Sequence, residues 1–197
     1  MTRKLVVATH NAGKVVELRR ILADPDVELL DADDVGLGDV EETGTTFTAN
    51  ALLKARAAVA MCGLACVADD SGLVVDALGG DPGVRSARYA GSHGDDQANL
   101  RLVLERMRGV ADRSARFVCV AALASPDGRE WTTEGVMEGT LTEEPRGTGG
   151  FGYDPIFLPV GAERTTAEMA PDAKDAISHR GQAFRALRPL VGALREP

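Results

Sequence analysis

Two adjacent aspartates, Asp69 and Asp70, follow an apolar run and precede a serine and a glycine in the segment VADDSGL at 67–73. Side-by-side carboxylates repel each other, and partial burial increases the repulsion. A fold keeps such a pair where a cation or a proton transfer requires it, because a carboxylate can bind Mg²⁺ or take a proton from water. The alternative is a turn in which Asp and Ser form only local backbone hydrogen bonds.

A second acidic pair, Glu41-Glu42, precedes a helix-like segment that carries Asn50 and Lys54. Glu41 or Glu42, together with Asp70, would supply hard oxygen ligands. Mg²⁺ favours one or two carboxylates and completes its shell with waters and substrate phosphate oxygens. Lys54 would bind a phosphate, or it would form an ordinary salt bridge to a nearby acid.

A polar turn, Thr9-His10-Asn11-Ala12-Gly13-Lys14, joins a strand-like run to a helix-like segment. Backbone amides at a helix N-terminus attract anions. Thr9 and Asn11 add hydrogen-bonding groups and Lys14 adds a charge, although the spaced glycines of a Walker A loop are missing. The turn therefore predicts a phosphate-binding cradle, with an ordinary capped helix and a solvated lysine as the alternative.

A glycine-rich segment at 147–155, GTGGFGYDP, carries two of the eight aromatic residues of the chain. Glycine lets the backbone approach a ligand closely. Phe151 could stack on a flat ring, and Asp154 could accept a hydrogen bond from that ring. The alternative is a structural glycine loop with an aromatic residue in the core.

Three potential donors, Lys174, His179 and Arg180, stand near the C-terminus. A ring carbonyl would pair with such donors, whereas a ring amino group would leave them unpaired at a cost of about 1–3 kcal/mol each. The cluster is therefore suited to selecting 6-oxo purines over adenine. The alternative is a helix-capping Ser178 with surface charges around it.

Composition excludes several classes of function. The chain of 197 residues is 44% apolar and has a net charge of −8, which disfavours nucleic acid as a partner but leaves room for a local cationic pocket. No apolar run is long enough to cross a membrane, and Met1 to Leu5 leads into a strand with no signal-peptide pattern. We therefore expect a cytoplasmic protein. Its three cysteines are expected to be buried free thiols.

Strand-like and helix-like segments alternate along the first half of the chain and a hairpin follows, which predicts an α/β fold with a mixed sheet in a single domain over 1–197. The Asp pair is expected at a turn after a strand at 65–68. A helix is expected at 46–61, with Thr46 or Thr48 as its N-cap. Further elements are expected as follows: strands at 5–8, 27–30, 115–124 and 130–136, and helices at 15–22, from Asp95 or Asp96 to about 108, and at 183–194.

Six motifs in one order resemble the inosine triphosphate pyrophosphatase family, the house-cleaning dITP/XTP pyrophosphatases. The resemblance runs from about residue 5 to about residue 190. The motifs are the Thr9-x-Asn11-x-x-Lys14 turn, Asn50-Ala51-x-x-Lys54-Ala55, Ala68-Asp69-Asp70-Ser71-Gly72-Leu73, Pro82-Gly83-x-x-Ser86-Ala87-Arg88-Tyr89, Gly149-Gly150-Phe151-Gly152-Tyr153-Asp154-Pro155 and Ser178-His179-Arg180-Gly181.

This resemblance implies an elongated central mixed sheet with flanking helices, two lobes around an active-site cleft, and a homodimer. The implied reaction is Mg²⁺-dependent hydrolysis of a purine nucleoside triphosphate carrying hypoxanthine or xanthine to the monophosphate and pyrophosphate. Asp70 would be the general base and a metal ligand, with Glu41 as its metal partner. The implied substrate-binding residues are Thr9, His10, Asn11, Ala12, Gly13, Lys14, Lys54, Ser71, Phe151, Gly152, Tyr153, Asp154, Lys174, His179 and Arg180, with Asp69 in the phosphate and metal neighbourhood.

Two other functions are compatible with parts of the pattern. A nucleotide-binding or regulatory module would keep the cradle and the ring pocket and lose the carboxylates, yet Glu41, Asp69 and Asp70 are all present. A pyrophosphatase of another specificity would keep the phosphate chemistry. The donors argue against adenine, whereas guanine also has a 6-oxo group and would have to be rejected through its 2-amino group.

Overall fold

The computed structural model describes residues 3–92 and 94–194. The described residues of 1–70, 119–135 and 180–197 form one compact unit, which we call the first unit. The described residues of 71–118 and 136–179 form the second unit. That the whole chain acts as a single domain stays a prediction.

Six strands form one mixed sheet in the order β2-β1-β3-β4-β5-β6. β1 pairs in parallel with β2 and with β3, whereas β5 and β6 are antiparallel. The α/β class with a mixed sheet is therefore confirmed. The strands are β1 (Arg3–Val7), β2 (Val27–Asp31), β3 (Cys66–Val75), β4 (Ser114–Ala124), β5 (Glu130–Leu141) and β6 (Phe157–Pro159).

Side-chain caps mark where the first three helices begin. The Thr46 hydroxyl accepts the Ala49 N–H at 3.1 Å and starts α2, and Gly63 ends that helix with a left-handed backbone at φ +68°. The first and third helices are capped by Asn11 and Asp95. The helices are α1 (Ala12–Ile21), α2 (Phe47–Cys62), α3 (Asp96–Arg106), α4 (Pro171–Ile177) and α5 (His179–Gly192).

Each unit has its own apolar core. In the first unit, Leu5, Val67 and Leu123 from three strands pack against α1 and against Phe184 and Leu187 of α5. A second cluster in this unit packs the small residues of α2 against β3 and β4. These cores fix the strands and helices that carry the polar residues of the first unit.

The core of the second unit joins the end of β3 to α3 and to the glycine-rich segment. Leu73 packs with Val103 of α3, with Phe117 of β4 and with Phe157 of β6. The rings of Phe117 and Phe157 are tilted, with centroids 4.5 Å apart. This packing holds the segment around Tyr153 beside the sheet.

Several predicted boundaries were wrong. The turn expected at Asp69–Gly72 lies inside β3, which continues to Val75, because the apolar residues after Gly72 remain buried in the sheet. α1 begins three residues earlier than expected, and α5 begins at His179 and runs through Pro189. The short elements β6 and α4 were not predicted.

The three cysteines are free thiols, as predicted, although Cys62 is only half-buried. Its sulfur lies 3.5 Å from that of Cys66, which is buried at the start of β3. Within 3–92 and 94–194, no helix has the length and apolarity to cross a membrane.

Candidate active site

Asp70 is a buried carboxylate that α2 contacts through two side chains one helical turn apart. Asn50 donates from Nδ2 to Asp70 Oδ2 at 2.9 Å, and Lys54 Nζ lies 3.6 Å from Oδ1. Burial raises the pKa of the Asp70 carboxyl, and the charge of Glu42 raises it further, against the opposing effects of Lys54 and Asn50. A carboxylate with a raised pKa is better suited to take a proton from water near neutral pH.

Asp69 has the opposite environment, because consecutive strand residues point to opposite faces of a sheet. Its fully buried carboxylate lies 3.0 Å from Lys14 Nζ and 3.3 Å from Arg180 Nη2. Burial alone would raise the pKa of Asp69, but the charges of Lys14, Arg180 and Lys54 outweigh burial and hold it below the ordinary range. Asp69 is therefore a permanent anion that holds cations, and Asp70 is the candidate base.

Arg180 is held inside the first unit by two carboxylates. Its Nη1 lies 2.5 Å from Glu17 Oε2, in addition to the contact with Asp69, and its side chain is 2% exposed. Glu17 and Lys14 are three residues apart on α1 and share one face of the helix. Arg180 thus belongs to a buried charge cluster with Glu17, Asp69 and Lys14.

The structure brings Glu42, rather than the exposed Glu41, to Lys54. Glu42 Oε1 lies 2.5 Å from Lys54 Nζ. Burial opposes the charge of Lys54, yet the carboxylates of Asp70, Asp69 and Glu42 together raise the pKa of its ammonium. Lys54 therefore stays protonated beside two carboxylates of the candidate centre.

One buried amide links the acidic loop to the candidate base. Asn50 accepts the Gly44 N–H through Oδ1 at 2.8 Å while its Nδ2 donates to Asp70. A Cβ at position 44 would lie 2.5 Å from Asn50 Oδ1, so this close approach requires glycine. The loop that carries Glu42 and the carboxylate of Asp70 are therefore held by the two ends of one side chain.

The donor set of the first unit fits a magnesium ion. In the part of the chain that the structure describes, no three His, Cys, Asp or Glu side chains gather as a metal cluster. Mg²⁺ does not need one, because one or two carboxylates suffice when phosphate oxygens and waters complete its shell. Burial and then the charge of Glu42 raise the pKa of the Asp70 carboxyl, and a divalent cation bound by both carboxylates would offset the repulsion of their like charges.

The turn before α1 is built as a helix cap. Asn11 Oδ1 accepts the Lys14 N–H at 3.0 Å, and Thr9 Oγ1 accepts the Asn11 N–H at 3.2 Å. Ala12 and Gly13 form the first turn of the helix. The cap starts the helix that carries Lys14, whose Nζ lies 3.0 Å from Asp69 Oδ2.

His10 lies on the exposed side of the same turn. Its ring nitrogens are each 3.7 Å from a carboxylate oxygen, one of Asp33 and the other of Asp39. Both contacts are with the acidic loop that follows β2.

The glycine-rich segment of the second unit is organised around Asp154. Its Oδ2 accepts the Phe151 N–H at 2.9 Å, and its Oδ1 accepts the Thr166 hydroxyl at 2.8 Å. Gly150 has φ +70°, and a Cβ there would collide with the Asp154 carboxylate. The turn from Gly150 to Asp154 therefore requires glycine at position 150, and Phe151 lies within this turn.

Lys174 of α4 completes this arrangement. Its Nζ lies 2.5 Å from Asp154 Oδ2 and 5.2 Å from the centre of the Phe151 ring, and the side chain is buried. A cation at this distance from a ring face is attracted to it. The pair Lys174–Asp154 thus lies beside the aromatic ring of Phe151.

Tyr153 and His179 are both buried in the second unit. The Tyr153 hydroxyl donates to the Ser86 carbonyl at 2.8 Å, and burial raises the pKa of its phenol. The His179 ring stacks on Phe117 with centroids 4.7 Å apart. Ser71, next to the candidate base in sequence, is half-buried.

A model of the Ham1 family matches residues 5–190 of this chain. The chain belongs to the Ham1 family. It is 58% identical to a dITP/XTP pyrophosphatase from Streptomyces coelicolor over 98% of this chain and 99% of that protein.

Two solved structures resemble this Ham1 family member along nearly the whole chain. A HAM1 protein from Coxiella burnetii has a TM-score of 0.88 and 42% identity, covering 98% of this chain and 100% of that one. A nucleoside-triphosphatase or dITP/XTP pyrophosphatase from Mycobacterium abscessus has a TM-score of 0.75 and 51% identity, covering 94% and 99%.

Two residues of this Ham1 family member were not assigned roles from its sequence. The contact of Asn50 with Asp70 has no signature in sequence spacing. Glu17 does have one, because it lies one helical turn after Lys14 and therefore shares its face of α1.

Proposed function

We propose that this Ham1 family member hydrolyses non-standard purine nucleoside triphosphates, ITP, dITP, XTP and dXTP, to the monophosphate and pyrophosphate. The observation that carries the proposal is the buried Asp70 carboxylate, which Asn50 and Lys54 hold beside Glu42. Relatives that match nearly the full length of this chain are named dITP/XTP pyrophosphatase, which supports the choice of substrate.

In the proposed reaction, Asp70 accepts a proton from the attacking water. The water oxygen bonds to phosphorus, the bond to the oxygen that bridges the α- and β-phosphates breaks, and pyrophosphate leaves. Lys54 and Lys14, with the amides at the start of α1, would neutralise phosphate charge before the water approaches. In this acidic chain, each of these two ammonium groups is kept beside carboxylates.

Magnesium is the proposed cofactor. Asp70 would hold it with Glu42, and Glu41 remains the second candidate on the same loop. When bound, the ion would polarise phosphate oxygens and offset their charge. Asn50 would keep the Asp70 carboxylate oriented.

We propose that Phe151, Asp154, Lys174 and His179 recognise the purine. A 6-oxo group is an acceptor for an ammonium, which carries three N–H donors. Adenine would present an amino group instead and would leave a donor unpaired, which costs about 1–3 kcal/mol. This difference supports hypoxanthine and xanthine over adenine.

The first test is pyrophosphate release with Mg²⁺ from ITP, XTP, GTP, ATP and UTP under identical conditions. Fast turnover of ITP and XTP with slow turnover of GTP and ATP is the expected result. Equal rates on all five would retain the phosphate chemistry and overturn the base preference. No pyrophosphate from any of them would favour a nucleotide-binding module.

The base is tested with Asp70→Asn, which keeps the shape of the side chain and removes its proton affinity. We expect kcat to fall by about 10²–10⁴-fold, the usual contribution of a general base. Asp76→Asn is the matched control, because Asp76 forms an exposed ion pair with Arg116 at 2.7 Å. Turnover of Asp70→Asn close to wild type would refute the assignment.

We also propose that the chain is a homodimer acting on the free nucleotide pool of the cytoplasm, removing triphosphates before they enter DNA or RNA. The family resemblance supports the dimer. Light scattering after size exclusion should give twice the monomer mass, and a monomeric mass at micromolar concentration would contradict this part of the proposal.

A further inference from the structure

Two adjacent aspartates at the start of α3 have different partners. Asp95 Oδ1 accepts the Ala98 N–H at 2.9 Å and caps the helix. Asp96 Oδ2 instead accepts the backbone N–H of Gly152 at 2.8 Å, from a residue 56 positions away. The sequence left either aspartate as the cap of this helix, and the structure shows that Asp95 is the cap whereas Asp96 binds a distant backbone N–H.

The Asp96 contact holds the same turn that Asp154 organises from within. The N–H of Phe151 donates to Asp154, and the next N–H along the chain, that of Gly152, donates to Asp96. Gly150 and Gly152 both have positive φ. Glycines lose more conformational freedom on ordering than other residues, so a turn built from them depends on such fixed contacts.

A cavity of about 330 Å³ lies between the start of α3 and this turn. Asp96 and Leu100 line it on the helix side, and the residues from Gly147 to Gly152 line it on the other. The contact between Asp96 and Gly152 therefore forms part of the cavity wall, next to Phe151.

We propose that Asp96 is a positioning residue for nucleoside recognition, holding the turn from Gly150 to Asp154 in the conformation that receives the purine. This rests on the proposed function. Without the carboxylate, the turn would have to become ordered when substrate binds. Part of the binding free energy would then be spent on ordering, which weakens affinity and leaves the chemical step at Asp70 unchanged.

The first readout is steady-state kinetics on ITP with the full-length chain. We expect Asp96→Ala to raise KM about tenfold, equivalent to about 1.4 kcal/mol, with kcat within about threefold of wild type. Asp96→Asn keeps an oxygen that accepts the Gly152 N–H, so its KM should stay within about threefold of wild type.

Asp95→Ala is the matched control. It removes the helix cap and should lower stability, but it should leave KM near the wild-type value. Both Asp96 variants lose the negative charge that favours a helix N-terminus, so an equal rise of KM in Asp96→Ala and Asp96→Asn would assign the effect to charge and overturn the proposal. An unchanged KM in Asp96→Ala, or an equal rise in Asp95→Ala, would overturn it as well.

The second readout does not depend on catalysis. Amide hydrogen exchange of a peptide spanning 147–155 should be faster in Asp96→Ala than in wild type, and near wild type in Asp96→Asn. If the wild-type protein releases no pyrophosphate from ITP, the proposed function fails while this exchange result still shows whether Asp96 fixes the turn. Unchanged exchange in Asp96→Ala would overturn the positioning role itself.

Discussion

Arg180→Met should destabilise the first unit strongly. The guanidinium is 2% exposed and lies 2.5 Å from Glu17 and 3.3 Å from Asp69, whose carboxylates are themselves buried. Methionine fills a similar volume and removes the charge. Breaking a buried ion pair from one side costs about 3–5 kcal/mol, because a carboxylate is left buried without its cation. For a domain of ordinary stability this is a large fraction of the free energy of unfolding.

The same helix offers a matched control. Arg188 of α5 forms an ion pair with Asp24 at 3.0 Å, but its side chain is 48% exposed. Exposed pairs contribute about 0–1 kcal/mol, so Arg188→Met should change stability little. The comparison separates the effect of burial from the loss of a positive charge on α5.

The assay is urea unfolding at pH 7, with the free energy of unfolding taken from the midpoint and the slope. Steady-state kinetics on ITP should accompany it, measured without urea and at a temperature where Arg180→Met remains folded. A loss of stability within about 1 kcal/mol for Arg180→Met, combined with a large rise in KM, would refute the structural role and favour direct contact with the nucleoside, as the sequence first suggested.

Three further predictions concern the two units. Asn50→Asp places a second carboxylate against the proposed base, and kcat on ITP should fall about 10–100-fold, since hydrogen bonds to charged groups contribute about 1.5–3 kcal/mol; an unchanged kcat would contradict the role of the amide. The pKa of Asp69 is lowered in the folded protein, so its contribution to stability is present above the unfolded value of about 4 and is lost as pH falls below it. Urea midpoints from pH 6 to pH 3 should therefore decline more steeply in wild type than in Asp69→Asn, and parallel declines would count against this. Gly150→Ala should destabilise more than Gly152→Ala, because both have positive φ but only the first would collide with Asp154; equal thermal midpoints would be inconsistent with the geometry.

The fold class could be predicted from the sequence, whereas the position of the aspartate pair inside a strand could not. Apolar runs such as Leu5–Ala8 and a capped alanine-rich helix at Thr46 are local signals, and local signals predicted strands and helices well. The prediction of a turn at Asp69–Gly72 was wrong because it followed the local turn preference of the polar residues and glycine. The apolar residues that follow them keep the segment in the strand. Only the buried positions after Gly72 show that the strand continues.

In the candidate site too, some contacts could be expected from sequence and others could not. The resemblance implied that Lys54 binds the substrate and that Asp70 holds the metal, and the structure places Lys54 Nζ 3.6 Å from Asp70 Oδ1. The residues alone left Glu41 and Glu42 open, because neighbours in a loop differ only in the direction that their side chains take, and the resemblance implied Glu41. The partner of Asp96 lies 56 residues away, and a contact at that separation has no signature in spacing.

Asn50 places a constraint on how this protein can evolve. Position 50 must present a donor to Asp70 and an acceptor to Gly44 from one short side chain, and position 44 has no room for a Cβ. A substitution at either position disrupts a contact of the other, so single steps away from this pair pass through a weakened intermediate. Drift should therefore be slow at these two positions.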